Sequence, residues 1–189
     1  FRELLERIGE QGMLILCMFM AAPFLPPPPF GVPGASGPFG FIVVLVGIGL
    51  ALDRIPWLPK FILNAQLRSS TLRKILEKTV WIFEKLERLV HPRLLVLTHP
   101  GLPSRLNGIL LALAGLLLIL PLPIPGTNSP PAWATLLLAI GLIERDGAFV
   151  IAGYLALLAT LVFFGFLFVG MFWFGMNVGA WFAASQPSG

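Results

Sequence analysis

The charged residues of this chain are few, and where they fall suggests where chemistry can occur. Glu144-Arg145-Asp146 follows a run of 38 residues without Asp, Glu, Lys or Arg and precedes a run of 43. Asp53-Arg54 comes directly after a third such run, residues 11–52. An acid beside an arginine in apolar surroundings suits an ion or substrate path, and an ionisable cluster at membrane depth is by default a candidate site. The plainer alternative is that these charges cap helix ends and fix orientation. An arginine buried there needs a partner, because an unpaired buried charge is strongly unfavourable. A second candidate set is polar but uncharged: Gly126, Thr127, Asn128 and Ser129, with Gly34 and Ser36 as counterparts earlier in the chain. Both groups lie in proline-rich stretches, where proline removes backbone donors and leaves the remaining polar groups free to meet a ligand.

Catalytic signatures are absent from the sequence. His91 and His99 have no carboxylate or cysteine at metal-ligand spacing, and no P-loop, G-x-S-x-G or H-E-x-x-H occurs. The expectation is a protein that is not an enzyme and carries no metal or cofactor. Any transport would then be passive or ion-coupled. Cys17 is the single cysteine, so no internal disulfide can form. Tyr154, the single tyrosine, lies within an apolar stretch where its hydroxyl wants a partner.

The elements that must position these residues follow from composition. Of 189 residues, 57% are hydrophobic and 12% charged, and the mean hydropathy is +0.88. The three charge-free runs together hold 123 residues, two thirds of the chain. A water-soluble fold leaves too much of its surface exposed to hide that share. This excludes a soluble enzyme, a disordered chain and a disulfide-stapled secreted domain, and leaves an all-α integral membrane protein. Ten of the thirteen Lys and Arg fall between Arg54 and Arg105, which predicts a cytoplasmic segment facing anionic lipids rather than nucleic acid. Within it, apolar residues from Leu72 to Val90 recur every three or four positions. Arg73, Lys74, Lys78 and Lys85 fill the other face, which predicts an amphipathic interfacial helix over Thr71–Val90. The first apolar run is flanked by Arg2, Glu3, Glu6 and Arg7 and breaks into prolines, so a signal peptide is not expected.

The apolar blocks are short and laid out twice. A span needs about 20 apolar residues. The candidates Gly12–Ala22, Phe39–Leu52, Leu106–Leu120 and Ala132–Ile143 all fall below that. At an offset of 92, residues 29–50 align with 121–142. The pairs Pro29/Pro121, Pro33/Pro125, Gly34/Gly126, Pro38/Pro130 and Gly49/Gly141 are identical, and one residue of slippage brings Asp53-Arg54 onto Glu144-Arg145. We read a single membrane domain with repeat one at about 12–92, repeat two at about 104–185, and residues 54–105 as the basic connecting segment. Each repeat is a helix, a Pro/Gly-rich loop and a short or re-entrant helix. Surface hairpin turns are the alternative to re-entrant loops. Of parallel and inverted repeats we favour inverted, because that design sets two interrupted helices against each other at the midplane. Residues 147–185 have room for one span and part of another. Gly165, Gly170, Gly175 and Gly179 could pack within one subunit, the reading we favour, or form a homodimer face.

Four motifs carry a family resemblance: Pro56-Trp57-Leu58-Pro59; Leu86-Glu87-Arg88-Leu89 with His91-Pro92-Arg93-Leu94; Leu122-Pro123-Ile124-Pro125-Gly126; and Gly141-Leu142-Ile143-Glu144-Arg145-Asp146-Gly147. In order over roughly residues 12–160, the chain resembles the ExoD family of bacterial exopolysaccharide-synthesis membrane proteins. The resemblance implies a multi-pass protein of the bacterial inner membrane, linked to exopolysaccharide production and, in rhizobia, to nodule invasion and alkali sensitivity. It supplies no catalytic residues. Two functions are compatible with it: a small transporter or flippase for lipid-linked saccharide or ions, and a non-transporting scaffold that docks synthesis enzymes through residues 54–105.

Overall fold

The computed structural model describes residues 2–25, 36–53, 94–120 and 126–185, all helix or short connection. Helix α1 is Arg2–Ala21, followed by a 3-10 turn at Ala22–Phe24; α2 is Gly37–Ala51; a second 3-10 turn at Leu95–Thr98 leads into α3, Leu102–Ile119; α4 is Ser129–Ile143; and α5 is Gly147–Ser185. The predicted amphipathic helix at Thr71–Val90, Arg54 and Gly34 lie outside the described residues.

Two helices, Leu102–Ile119 and Gly147–Phe174, are long and apolar enough to cross a membrane. Gly9–Phe24, Gly37–Ala51 and Ser129–Ile143 are apolar but shorter. The outer surface agrees: Leu155, Leu158, Phe166, Val169, Phe172 and Trp173 on α5 are all exposed. An apolar area of that extent marks an interaction site, and together with the helix lengths it points to association with a membrane. Helix α5 corrects one expectation. It runs unbroken for 39 residues, about 58 Å at 1.5 Å per residue, instead of ending one span and starting another. Glycine alone weakens a helix by only about 1 kcal/mol relative to alanine, and no proline interrupts this stretch. Gly165 and Gly170 face open space, so neither packs within the subunit.

Helices α2 and α3 make the broadest pairing in the structure. Gly40 and Gly47 on α2 meet Gly115 and Gly108 on α3. Both pairs are seven residues apart, so each helix shows the other one smooth strip. A Cβ on Gly47 would lie 2.7 Å from the Gly108 carbonyl oxygen, and a Cβ on Gly40 2.7 Å from that of Gly115. The backbones therefore touch directly, as small residues permit where helices lack a polar face. The four glycines are a feature that the sequence reading passed over, although their spacing within charge-free runs was available to it. Around this seam the core gathers Met13, Leu14, Cys17 and Met18 of α1, Val43, Val46 and Leu50 of α2, Leu111 and Leu118 of α3, and Leu136 and Ile140 of α4. Phe164 of α5 closes a smaller cluster with Ala114, Leu117 and Ala134.

Helix directions follow from these contacts. Gly40 lies against Ile119, so the start of α2 meets the end of α3. Ser129 Oγ donates to the Leu25 carbonyl at 3.2 Å, so the start of α4 meets the end of the α1 segment. Thus α1 and α3 run one way and α2 and α4 the other, and the ends of α1 and α3 lie with the proline-bearing starts of α2 and α4 at one end of the bundle. The inverted arrangement is therefore not the one that these two hairpins adopt. Gly108, near the start of α3, meets Ala51 at the end of α2, so the second hairpin starts from the same side as the first.

Two measurements test this architecture. Single cysteines at 53 and 144 should react with an impermeant maleimide from the same side of the membrane; an inverted layout would split the pair. Gly108→Val should destabilise the fold by about 3 kcal/mol or more, because the backbone contact cannot widen locally. Gly165→Ala, in open space, should leave stability unchanged or raise it by about 0.5–1 kcal/mol, both read by thermal unfolding in detergent.

Candidate functional site

The 15-residue helices α2 and α4 stand 92 residues apart and end alike. Leu52 (φ −91°, ψ 0°) and Glu144 (φ −87°, ψ 0°) cap them, and the next residues, Asp53 (φ 56°) and Arg145 (φ 54°), are left-handed. A left-handed residue after a helix lets the following chain bond back onto the last carbonyls. After α4 this closure is complete: Asp146 N–H donates to the Gly141 carbonyl at 2.9 Å and Glu144 N–H to that of Ile140 at 3.0 Å. The side chain of Asp146 then starts the next helix, its Oδ1 accepting from the Ala148 N–H at 2.9 Å. Asp146 is buried, while Glu144 and Arg145 are exposed.

The acid–arginine cluster is thus a tight corner between two helices. Arg145 is solvated and does not depend on its neighbouring acids to offset burial. The backbone match also removes the one-residue slippage: Asp53, rather than Arg54, stands in the position of Arg145.

Asp53 and Arg145 nonetheless come together. Both line a cavity of about 170 Å³ at the end of the bundle opposite the starts of α2 and α4. Glu10 and Gln11 of α1, Thr98 and Ser104 supply its other polar walls, with Leu14, Leu50, Leu142 and Ile143 on the apolar side. A drug-sized ligand takes about 300 Å³ or more, so this space suits an ion, a few waters or one small charged group. Glu10 of α1, Asp53 just beyond α2 and Arg145 of the α4–α5 corner all line it, so it brings residues of both charge signs to one place. Glu10 and Gln11 were not singled out in the sequence, because nothing in the pattern tells which turn of α1 meets the ends of α2 and α4.

The uncharged candidates lie at the other end. Gly126 is left-handed (φ 91°), and its carbonyl accepts from the Ser129 N–H at 3.1 Å. Thr127 is buried and bonded, and Ser129 is held by Leu25. Ser36 and Asn128 occupy the N-caps of α2 and α4 with nearly the same backbone (φ −74°, ψ −17° and φ −82°, ψ −18°). Neither makes a side-chain cap bond, and Ser36 Oγ and Asn128 Oδ1 are buried without a hydrogen-bond partner. The predicted candidates that the structure describes therefore divide between two ends, about 22 Å apart along a 15-residue helix.

A buried network links the cavity end to the long helix. The Tyr154 hydroxyl donates to Asn107 Oδ1 at 2.6 Å, and Asn107 Nδ2 donates to the Leu97 carbonyl at 2.8 Å. The predicted need of Tyr154 for a partner is met by Asn107, which is fully buried.

Comparison with known proteins bears on what this geometry serves. The profile of the family described as "Exopolysaccharide synthesis, ExoD" matches residues 1–166. The chain belongs to the ExoD family. It is 41% identical over 184 residues to Protein ExoD of Rhizobium meliloti (strain 1021), covering 97% of this chain and 76% of that protein. It is also 32% identical over 126 residues to an uncharacterized protein of Synechocystis sp., covering 66% of this chain and 58% of that one. No solved structure matches. The family match takes in both ends of the ExoD-family bundle, the cavity and the two N-caps, and stops near Phe164, where α5 leaves the packed core.

The corner geometry predicts a graded loss. Asp146→Ala should cost about 1 kcal/mol of stability by removing the α5 cap, and Asp146→Asn only a fraction of that, measured by thermal unfolding. Glu144→Ala, at an exposed position, should be close to neutral.

Proposed function

We propose that this ExoD-family protein is a small multi-pass transporter of the bacterial inner membrane, passive or ion-coupled, that moves a lipid-linked saccharide or its counter-ion during exopolysaccharide synthesis. The observation that carries the reading is the cavity that joins Asp53 and Arg145. It puts charges of both signs in contact with four apolar helices, at the end where the basic segment 54–105 connects. A guanidinium suits an anionic phosphate headgroup, with the carboxylates available to an accompanying cation or proton. The equal length and matching caps of α2 and α4 support an internal duplication of two parallel hairpins. Their length, about 22 Å each, supports short helices that stop before a full crossing. On this reading the bilayer and its anionic lipids are the surroundings, the protein is not an enzyme, and neither a cofactor nor nucleic acid takes part.

The alternative is a scaffold that docks synthesis enzymes through the basic segment. Purified protein in liposomes separates the two. Wild type should move a labelled polyprenyl-phosphate or an ion faster than empty vesicles do. Arg145→Ala should slow that movement about tenfold, the effect of losing one charge-assisted hydrogen bond. If instead Arg145→Ala leaves exopolysaccharide output unchanged while replacing Arg73, Lys74, Lys78 and Lys85 abolishes it, the scaffold reading replaces transport.

A further inference from the structure

The cavity that joins Asp53 and Arg145 has one wall unlike the others. Thr98 and Pro100 belong to the segment 94–101, which contains the 3-10 turn Leu95–Thr98, and that turn has no buried residue. The rest of the lining comes from the helices and the corners at their ends. On its outer side the segment leaves Leu94, Leu95 and Val96 exposed. Leu94 is left-handed (φ 51°) and Gly101 has φ 115°, so a corner stands at each end. The left-handed region is unfavourable for a leucine, and a turn that buries no residue gains little from packing. The wall therefore needs a tie to the bundle.

Asn107 supplies it. Its Nδ2 donates to the Leu97 carbonyl at 2.8 Å, and its Oδ1 accepts from the Tyr154 hydroxyl at 2.6 Å. The Leu97 carbonyl can only accept, so it must meet the amide nitrogen, and the amide oxygen is left for a donor. Tyr154 provides that donor and fixes which way the amide points. Asn107 also has a firm base, because the next residue, Gly108, lies against the α2 backbone at Gly47 and Ala51. Asn107 is fully buried, and burying an amide carries a desolvation cost that a leucine at this helical position would not. What the amide adds is a direct bond from α3 to the backbone of the turn.

We infer that Asn107, oriented by Tyr154, is a positioning residue for the charged cavity and holds the Leu95–Thr98 turn in place as one wall. The inference rests on the transport reading for its purpose and deepens it, because a wall set back would open the cavity that Asp53 and Arg145 line. The wall itself can be followed without transport. Thr98→Cys puts a thiol on a cavity-lining position of the turn, and Glu144→Cys puts one at an exposed position outside the cavity. The native Cys17 is buried and serves as the background. Full-chain protein in lipid nanodiscs is reacted with an impermeant maleimide, and thermal unfolding is followed on the same samples.

Asn107→Leu should speed the reaction at 98 about tenfold, the effect of losing one hydrogen bond, and leave the reaction at 144 unchanged. Tyr154→Phe alone should speed it by less, since the bond to Leu97 then loses only its orienting partner. Asn107→Leu should also lower the unfolding temperature, because the Tyr154 hydroxyl loses its acceptor. Adding Tyr154→Phe removes that stranded hydroxyl, so the double variant should recover the unfolding temperature and keep the fast reaction at 98. The inference is overturned if Asn107→Leu leaves the rate at 98 unchanged, if 98 and 144 speed up together, or if the double variant restores the slow reaction along with the unfolding temperature. Either of the last two results would make Asn107 a general stabiliser of the fold. Wild type that moves no polyprenyl-phosphate or ion in liposomes, with 98 released by Asn107→Leu, would sink the transport reading alone. Transport by wild type with no change at 98 would sink this inference alone.

Discussion

Direct backbone contact between α2 and α3 is the constraint on which the rest of the structure depends. Neither helix has a polar face to show its partner, and in apolar surroundings there is little hydrophobic gain from pairing them. What remains is close-range dispersion, which falls off steeply once a gap opens. Gly40, Gly47, Gly108 and Gly115 leave no side chain at the points of closest approach, so the two backbones touch directly. The seam fixes where α2 ends, and so sets Asp53 beside α1 and α4. It also fixes α2 antiparallel to α3, which puts the start of α2 at the end of α3.

Proline does the complementary work. Where glycine lets backbones meet, proline strips donors from the starts of α2 and α4 and leaves Ser36 and Asn128 without capping partners. The two ends of the bundle thereby differ in kind. At one, helix C-termini close onto themselves through the left-handed Asp53 and Arg145, and the charged side chains are free to line a cavity. At the other, the side chains are neutral and the backbone has few donors. The charged end and the neutral polar end are separated by the length of the apolar helices. Long α5 stands apart from both, tied to the cavity end by Asp146 at its start and by Tyr154 bonded to Asn107.

Much of this was legible in the sequence. The offset of 92 marked α2 and α4 before their equal lengths and caps were visible, because prolines and glycines report backbone conformation directly. The charge-free runs marked the apolar helices, because charge is costly away from water. Less accessible were facts that depend on which helix meets which. The glycines at seven-residue spacing are conspicuous only once α2 and α3 are known to be neighbours. Glu10 belongs to the cavity only because α1 packs against α4. The preference for inverted repeats failed for a related reason: sequence similarity is the same for either orientation, and direction shows only in which helix ends meet.

The sequence by itself determined the apolar, helical character of the chain, the bounds of α2, α3 and α4 within about four residues, and the family. These follow from local chemistry, namely where charge, proline and glycine are tolerated along one chain. Only the tertiary structure decided that Asp53 and Arg145 share a cavity, that Asp146 is a helix cap, and that Ser36 and Asn128 are buried without partners. Burial and partnership are properties of pairs of surfaces, and those pairs exist only after the glycine seam has brought distant segments into contact.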